Sequence, residues 1–324
     1  MTLPRRRFLQ LAAGAALSAV PGSARPQAYP TRPVRLVVGF GPGGAPDILA
    51  RLIGQWLSDR LGQPFVVENR AGASGNLATQ VVIEAPADGH MLLLVSLANA
   101  VNASLYDNLT FDFVRDIAPV AGISRDPNVM VVNPSFPAKT VAEFIAYAKA
   151  HPGKVNMASP GVGTSPHMAG ELFKFMAGVD MVHVAYRASP PALIDLMSGQ
   201  VQVYFAPISA VIAYVKDSRV RALAVTTAKR ADVLPDVPTV GEFVPGYESS
   251  AFYGIGAPRN TPAEIVDRLN REINASLADP KLGERLADLG SVPLAVSPSA
   301  FGEFMAGETE KWGKVVKFAG IKPQ

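Results

Sequence analysis

Residues 39–47 read GFGPGGAPD, and their types and spacing could hold an anion. Gly39, Gly41 and Gly44 fit G-x-G-x-x-G, the spacing that lets a backbone approach a dinucleotide pyrophosphate. RLVVGF before them reads as a buried strand, and DILARLIGQWLSDRLG after them as an amphipathic helix. Glu68, ending the next strand FVVEN, could hold a ribose, although it lies 24 residues past Gly44 rather than the usual ~20. An exported oxidoreductase using NAD(P) or flavin is therefore one reading. Pro46 favours another. The third fingerprint glycine normally sits inside the first helical turn, whereas proline is comfortable at the first helical position. A helix starting at Pro46 leaves all three glycines in a wider loop, with the amides of Gly43, Gly44 and Ala45 aimed at a ligand. Free N–H groups at a positive dipole end suit a carboxylate as well as a phosphate. Asp47 would repel an anion and is expected to cap the first turn. The plain alternative is a glycine loop that only makes a tight turn.

A second loop, ASPGVGTSPHM over residues 158–168, again lies between a strand and a helix. It carries Ser159, Gly161, Gly163, Thr164, Ser165 and His167. Two amide-rich walls facing each other suit a small anion in a cleft better than a dinucleotide laid along one sheet. Arg187, between the strand MVHVAY and the helix PALIDLMSG, could pair with a ligand carboxylate bidentately, or could be a surface arginine. His90 sits in a turn, His151 at a helix end, and His183 alternates on a strand, where a core role is expected; only His167 lies in a promising loop. G-x-S-x-G, H-E-x-x-H and Walker A motifs are absent, so no catalytic constellation assembles.

The elements that position these loops alternate between strand and helix. After FVVEN come MLLLVS, ending at Ser96, and the helix TVAEFIAYAKAH, with Thr140 and Glu143 in a capping box. The strands KVNMAS, MVHVAY, VQVYFAP and VRALAVT follow, with helices HMAGELFKFMAG and PALIDLMSG among them. Thr261-Pro262-Ala263-Glu264 is expected to cap a long helix, and FGEFMAGETEKWGKVVKFAG to form the last one. Such alternation implies parallel sheets covered by helices, with sites at the carboxyl ends of strands. Ile123–Pro134 and Ser250–Pro258 read as extended connections, and Ala231–Tyr247 as a proline-rich loop. A chain that crosses out, builds a second α/β unit and crosses back has this pattern; a single large domain is the alternative.

Composition narrows the class. At 324 residues, with 48% hydrophobic and 18% charged residues, the chain suits two ordinary globular lobes. With no cysteine, thiol catalysis, disulfides and thiolate metal sites are excluded. Residues 1–24 read as an export signal, with Arg5–Arg7, an apolar run from Phe8 to Val20, and Gly22 and Ala24 before a cleavage point. The arginines also resemble a twin-arginine signal. Removing the signal takes three of the 30 basic residues and none of the 27 acids, so the remaining chain is neutral. That speaks against nucleic-acid binding.

Taken together these stretches resemble the Bug family, the periplasmic substrate-binding proteins of tripartite tricarboxylate transporters. The motifs run in order: YPTRPVRLVVGFGPGGAPDILARLIG, LGQPFVVENRAGASGN, APADGHMLLL, NPSFPAKTVAEFIAYAK, PGKVNMASPGVGTSPHMAGELFKFMAG, HVAYRASPPALIDLMSGQV and RALAVTTAKRADVLPDVPTVGE. The resemblance implies an α/β, two-lobed Venus-flytrap fold of the periplasmic-binding-protein type II class. It implies lobe 1 at 25–127 plus 252–324, lobe 2 at 128–251, and a ligand cleft between them. It also implies no catalysis, no cofactor and no metal. The expected partners are a small carboxylate and a membrane permease, and the expected state is a monomer. Ligand contacts carry over to Phe40, Gly41, Gly43, Gly44, Ser96, Asn99, Ser159, Thr164, Ser165, His167 and Arg187, with Ala206 lining the pocket. Where relatives often carry an Asp-Asn pair, this chain has Ala206-Pro207. Without that acid, amino acids are expected to bind poorly and a carboxylate with an apolar or aromatic body better.

Overall fold

A computed structural model describes residues 29–322. The expected signal, residues 1–24, lies outside them. The chain opens with strand β1 (Val34–Val38), helix α1 (Ala45–Leu61) and strand β2 (Phe65–Asn69). Next come α2 (Asn76–Ile83), β3 (Met91–Ser96), α3 (Leu97–Leu105), the short α4 (Phe113–Asp116) and the long β4 (Ile117–Val132). Then follow α5 (Val141–Ala150), β5 (Asn156–Ser159), α6 (Ser165–Ala177), β6 (Val182–Ala185), α7 (Ser189–Ser198), β7 (Val203–Pro207), α8 (Ile208–Lys216) and β8 (Arg221–Val225). The chain returns through β9 (Ser250–Pro258) to α9 (Ala263–Leu277), α10 (Pro280–Asp288), the two-residue β10 (Val292–Pro293) and α11 (Pro298–Ala319).

The strands join in the order β2-β1-β3-β9-β4-β7-β5-β6. Beside β1, the strands β2 and β3 are parallel; so are β6 and β7 beside β5. The parallel expectation fails in the middle, where β4 runs antiparallel to β7, β8 and β9, and β9 antiparallel to β3. These are the two crossing strands, and a chain that goes out and comes back must run them in opposite directions. β4 pairs with β9 from Ile117 to Pro127, then with β7 from Asn128 onward. Proline has no N–H to give a ladder, and Pro127 stands where the partner changes. Thr226 holds the crossing together: its Oγ1 accepts from the Asn128 amide at 3.0 Å and donates to the Ser249 carbonyl at 2.7 Å.

Each half of the sheet has its own cores, so the molecule is two-lobed. In β1, Val34, Leu36 and Val38 pack with Leu49, Ile53 and Leu57 of α1, while Val37 faces the opposite cluster around Phe301 and Trp312. That is the two-sided burial of a parallel strand. In the second lobe, Phe144, Phe173 and Phe205 fill one face, and Tyr204, Ala206 and Val211 the other. No helix of the described residues is long and apolar enough to cross a membrane.

Local readings differ from the structure in three places. Helix α1 begins at Ala45, so Pro46 is its second residue and Gly44 its cap. Thr261 does not cap α9; its hydroxyl donates to the Pro258 carbonyl at 2.7 Å, and Pro262 precedes the helix. Helix α8 was not expected, because VYFAPISAVIAYVK is a nearly continuous apolar run in which Pro207, not a polar capping residue, stands where strand ends and helix begins.

Candidate functional site

Between the lobes lies a narrow cavity of about 440 Å³, counted out to its mouth. Five helices start on its wall. Gly44 and Pro46 bring the start of α1, Ser96 and Leu97 that of α3, and Thr164 and Ser165 that of α6. Ser189 opens α7, and Pro207 immediately precedes α8. Phe40, Pro160, Ala251 and Tyr253 supply apolar surface, and no charged side chain lines the wall. Four of the five starts, those of α1, α6, α7 and α8, have no side-chain cap on their amides. Each leaves unsatisfied N–H groups at a partial positive charge. The arrangement can therefore hold an anion with amides and hydroxyls alone, and leaves no bare charge in an apolar wall when the anion departs.

The glycine loop is fixed from behind. Asp47 does not cap the first turn of α1. Its Oδ2 accepts from the Gly43 amide at 3.0 Å, one residue before the cap. It also accepts from Arg51, at 2.8 Å through Nη2, and from Asn69 at 2.9 Å. Burial alone would raise its pKa, but these hydrogen bonds outweigh it and hold the carboxyl below the usual range. The Gly43 amide is thus spent on Asp47, and Gly44 is left on the cavity wall. Asn69 donates to the Phe40 carbonyl at 3.0 Å as well, which pins the other end of the loop.

The facing loop rests on two histidines. His167 is buried and turns away from the cavity: its Nδ1 accepts from the Gly163 amide at 3.1 Å. Its ring lies over that of His183, with centroids 4.0 Å apart. His183 Nε2 is 2.6 Å from Ser159 Oγ, and that hydroxyl accepts from the Gly161 amide at 3.1 Å. Burial pushes the His183 pKa down to about 4, helped by Lys174; burial, with His183 and Lys174, drives His167 lower than its usual value too. Both rings are neutral at pH 7 and act as props for residues 159–165. Asn128 donates to Ser165 Oγ at 2.6 Å and fixes that wall hydroxyl.

Of the twelve residues expected at the site, six line this cavity: Phe40, Gly41, Gly44, Ser96, Thr164 and Ser165. Gly43, Ser159 and His167 support the loops as described. Asn99 lies behind the wall, where its Oδ1 accepts from the Ser96 amide at 2.8 Å and its Nδ2 donates to Thr79 at 2.9 Å. Ala206 is fully buried in the second lobe's core, and its neighbour Pro207 takes the wall position. Arg187 is exposed and lines a second cavity of about 910 Å³, which shares Phe40 and Pro160 with the first. Sequence reasoning missed Ser189, Pro207, Ala251 and Tyr253. The start of α7 carried a usable signal, Pro190 and Pro191 in its first turn; the start of α8 and the strand β9 carried none. Behind the wall, burial pushes up the carboxyl of Asp126, which accepts from Ser209 at 2.7 Å and Ser124 at 2.8 Å.

The nucleotide reading finds no footing. Glu68 is paired with Arg35 and Arg70 instead of standing free for a ribose. The model of the family described as tripartite tricarboxylate transporter family receptor matches residues 49–321. A UPF0065 protein from the tcbD-tcbE intergenic region of Pseudomonas sp. strain P51 is 38% identical over 96% of this chain and 94% of its own length. Protein BugT of Bordetella pertussis is 35% identical over 91% of both. Among solved structures, R. palustris Rpa4515 with adipate superposes with a TM-score of 0.89 at 40% identity, covering 91% of this chain and all of that one. MatC from Rhodopseudomonas palustris with bound malate gives 0.85 at 32%, covering 89% of this chain and all of its own. The chain therefore belongs to the Bug-type receptors of the tripartite tricarboxylate transporter family, solute-binding proteins and not enzymes.

Proposed function

We propose that this chain is a periplasmic receptor that captures a small carboxylate between its lobes and delivers it to the permease of a tripartite transporter. The observation that carries the reading is the convergence of five helix starts, four without side-chain caps, on a cavity with no charged side chain. The adipate and malate bound in the two related structures support it. One carboxylate is received by the amides of Gly44 and Ala45 and by the hydroxyls of Ser96, Thr164 and Ser165. Phe40, Pro160 and Tyr253 accept an apolar body, and Arg187 waits in the adjoining cavity for a ligand that extends past Phe40. The cavity wall offers no acid to an ammonium group, so amino acids bind weakly.

The lobes divide at 127/128 and 251/252, a reading supported by the change of strand partner after Pro127. Residues 1–24 direct export and are removed, and the receptor works as a monomer. A thermal-shift series over mono-, di- and tricarboxylates, aromatic ones included, on refolded ligand-free protein tests the function. At least one acid should raise Tm in proportion to the logarithm of its concentration above Kd. A flat response to every acid contradicts the reading, and tight aspartate or glutamate binding contradicts its specificity.

A further inference from the structure

The lobes meet around the cavity through missing side chains. A Cβ placed on Gly43 would lie 3.1 Å from Pro190 Cγ, and one on Gly44 3.3 Å from Ser189 Oγ. From the other lobe, Gly163 would meet Asn102 Oδ1 at 2.8 Å and Gly161 would meet Ser74 Oγ at 3.1 Å. Gly43, Gly161 and Gly163 have φ of +81°, +134° and +77°, so their own backbone already calls for glycine. Gly41 has no such local reason. Its φ lies outside the left-handed region, and what a Cβ would meet is the Ala188 Cβ across the cleft, at 2.9 Å. Real Cβ atoms essentially never approach below 3.0 Å. Bare Cα against methyl is therefore the closest the two backbones come without a shift.

We infer that the Gly41–Ala188 contact is the stop against which the lobes close, and that Ala188 sets ligand specificity through it. Ala188 is buried but is not part of the cavity wall. It is the residue before α7 and is followed by Ser189, which is in the wall; Gly41 stands three residues before Gly44. The contact thereby fixes how far apart the uncapped starts of α1 and α7 are held on the anion. A methyl at 41 wedges the lobes apart, and its removal at 188 lets them come nearer.

The inference rests on the receptor reading, and the test separates the two. The chain has no cysteine, so Glu84→Cys and Asp180→Cys, both exposed and one on each lobe, give a spin-label pair whose separation reports closure. It is compared in G41A, A188G and the double variant, without ligand and with adipate or benzoate at saturation, beside calorimetry of the same acids. G41A should lengthen the closed distance and weaken binding about ten-fold, the low end of an overpacking cost. A188G should shorten the distance and change the ratio of affinities for the two acids. The double variant should return to the parent distance and affinity, because the two changes cancel in space. A methyl that merely crowded the ligand would not be rescued by A188G. Distances unchanged in A188G, or a G41A defect that persists in the double variant, overturn the inference. Shifted distances with no carboxylate bound by the parent would leave the stop standing and sink the receptor reading instead.

Discussion

Helices that begin on the cavity and helices that begin on the outer surface are finished differently. Outside, Asp112 caps α4, Thr140 α5, Asp279 α10 and Ser297 α11, each accepting from a first-turn amide. At the cavity, the residues before α1, α6, α7 and α8 are Gly44, Thr164, Ala188 and Pro207, and none caps with its side chain. Thr164 could, yet its hydroxyl donates to the Gly161 carbonyl at 2.6 Å. Two starts away from the cavity, α2 after Gly75 and α9 after Pro262, also lack a side-chain cap, and one start on the cavity, α3, has a capping box between Ser96 and Asn99. A side-chain cap contributes ~1 kcal/mol to a helix. Forgoing four of them around one small space leaves the amides for a guest, and the difference marks the binding site without reference to any relative.

The largest way to break the contrast is to supply the missing cap. Thr164→Asp places a carboxylate over the α6 amides, inside the cavity. Ligand affinity should fall at least about 100-fold, since two carboxylates in an apolar space repel strongly. The ligand-free Tm should hold or rise, because the uncapped amides are satisfied. A variant that binds normally would show that the amides of α6 are not the anion site.

Next in size is the loop that takes its support from neutral histidines. A folded pKa of about 4 for His183, below the usual 6.5, means that the unfolded chain binds more protons between those values. Its contribution is complete above pH 6.5 and is lost as pH falls toward 4, on the order of 3 kcal/mol at most. Tm measured from pH 7 to 4 should decline through that window, and His183→Asn should flatten the decline. A slope indifferent to His183 would remove the proposed prop.

Much of the fold was legible because helix-start chemistry is local. GFGPGGAPD and ASPGVGTSPHM declare themselves by glycines, hydroxyls and prolines within ten residues, and both loops reach the cavity. What stayed hidden depends on distance or on strand parity. Tyr253 and Ala251 reach the wall on the returning strand β9, far along the chain from either loop. Along β7, Tyr204 and Ala206 face one core and Val203 and Phe205 the other. The wall position therefore falls to Pro207, where the strand ends, and not to Ala206. The spacing of Arg187 put it at a strand end, but only the packed lobes show Phe40 and Pro160 shared between its cavity and the main one.

Smaller effects sharpen the contrast. Asp47→Ala should cost about 2 kcal/mol, as the Gly43 amide, Arg51 and Asn69 lose their acceptor, and it should weaken ligand binding in parallel by loosening the loop. Asp279→Ala, which frees two amides at the outer start of α10, should cost about 1 kcal/mol by chemical denaturation and leave affinity untouched. If Asp279→Ala weakened binding as much as Asp47→Ala, cavity and surface helix starts would not be functionally distinct.

The most direct measurement is calorimetric titration of refolded, ligand-free protein with a carboxylate that binds and with its isosteric primary amide. The two have the same shape and differ in charge. Helix starts without a cationic partner should favour the carboxylate by about 100-fold or more, from several amide hydrogen bonds to an anion. Equal affinities would mean that the cavity recognises shape alone, and that its uncapped helix starts do not hold an anion.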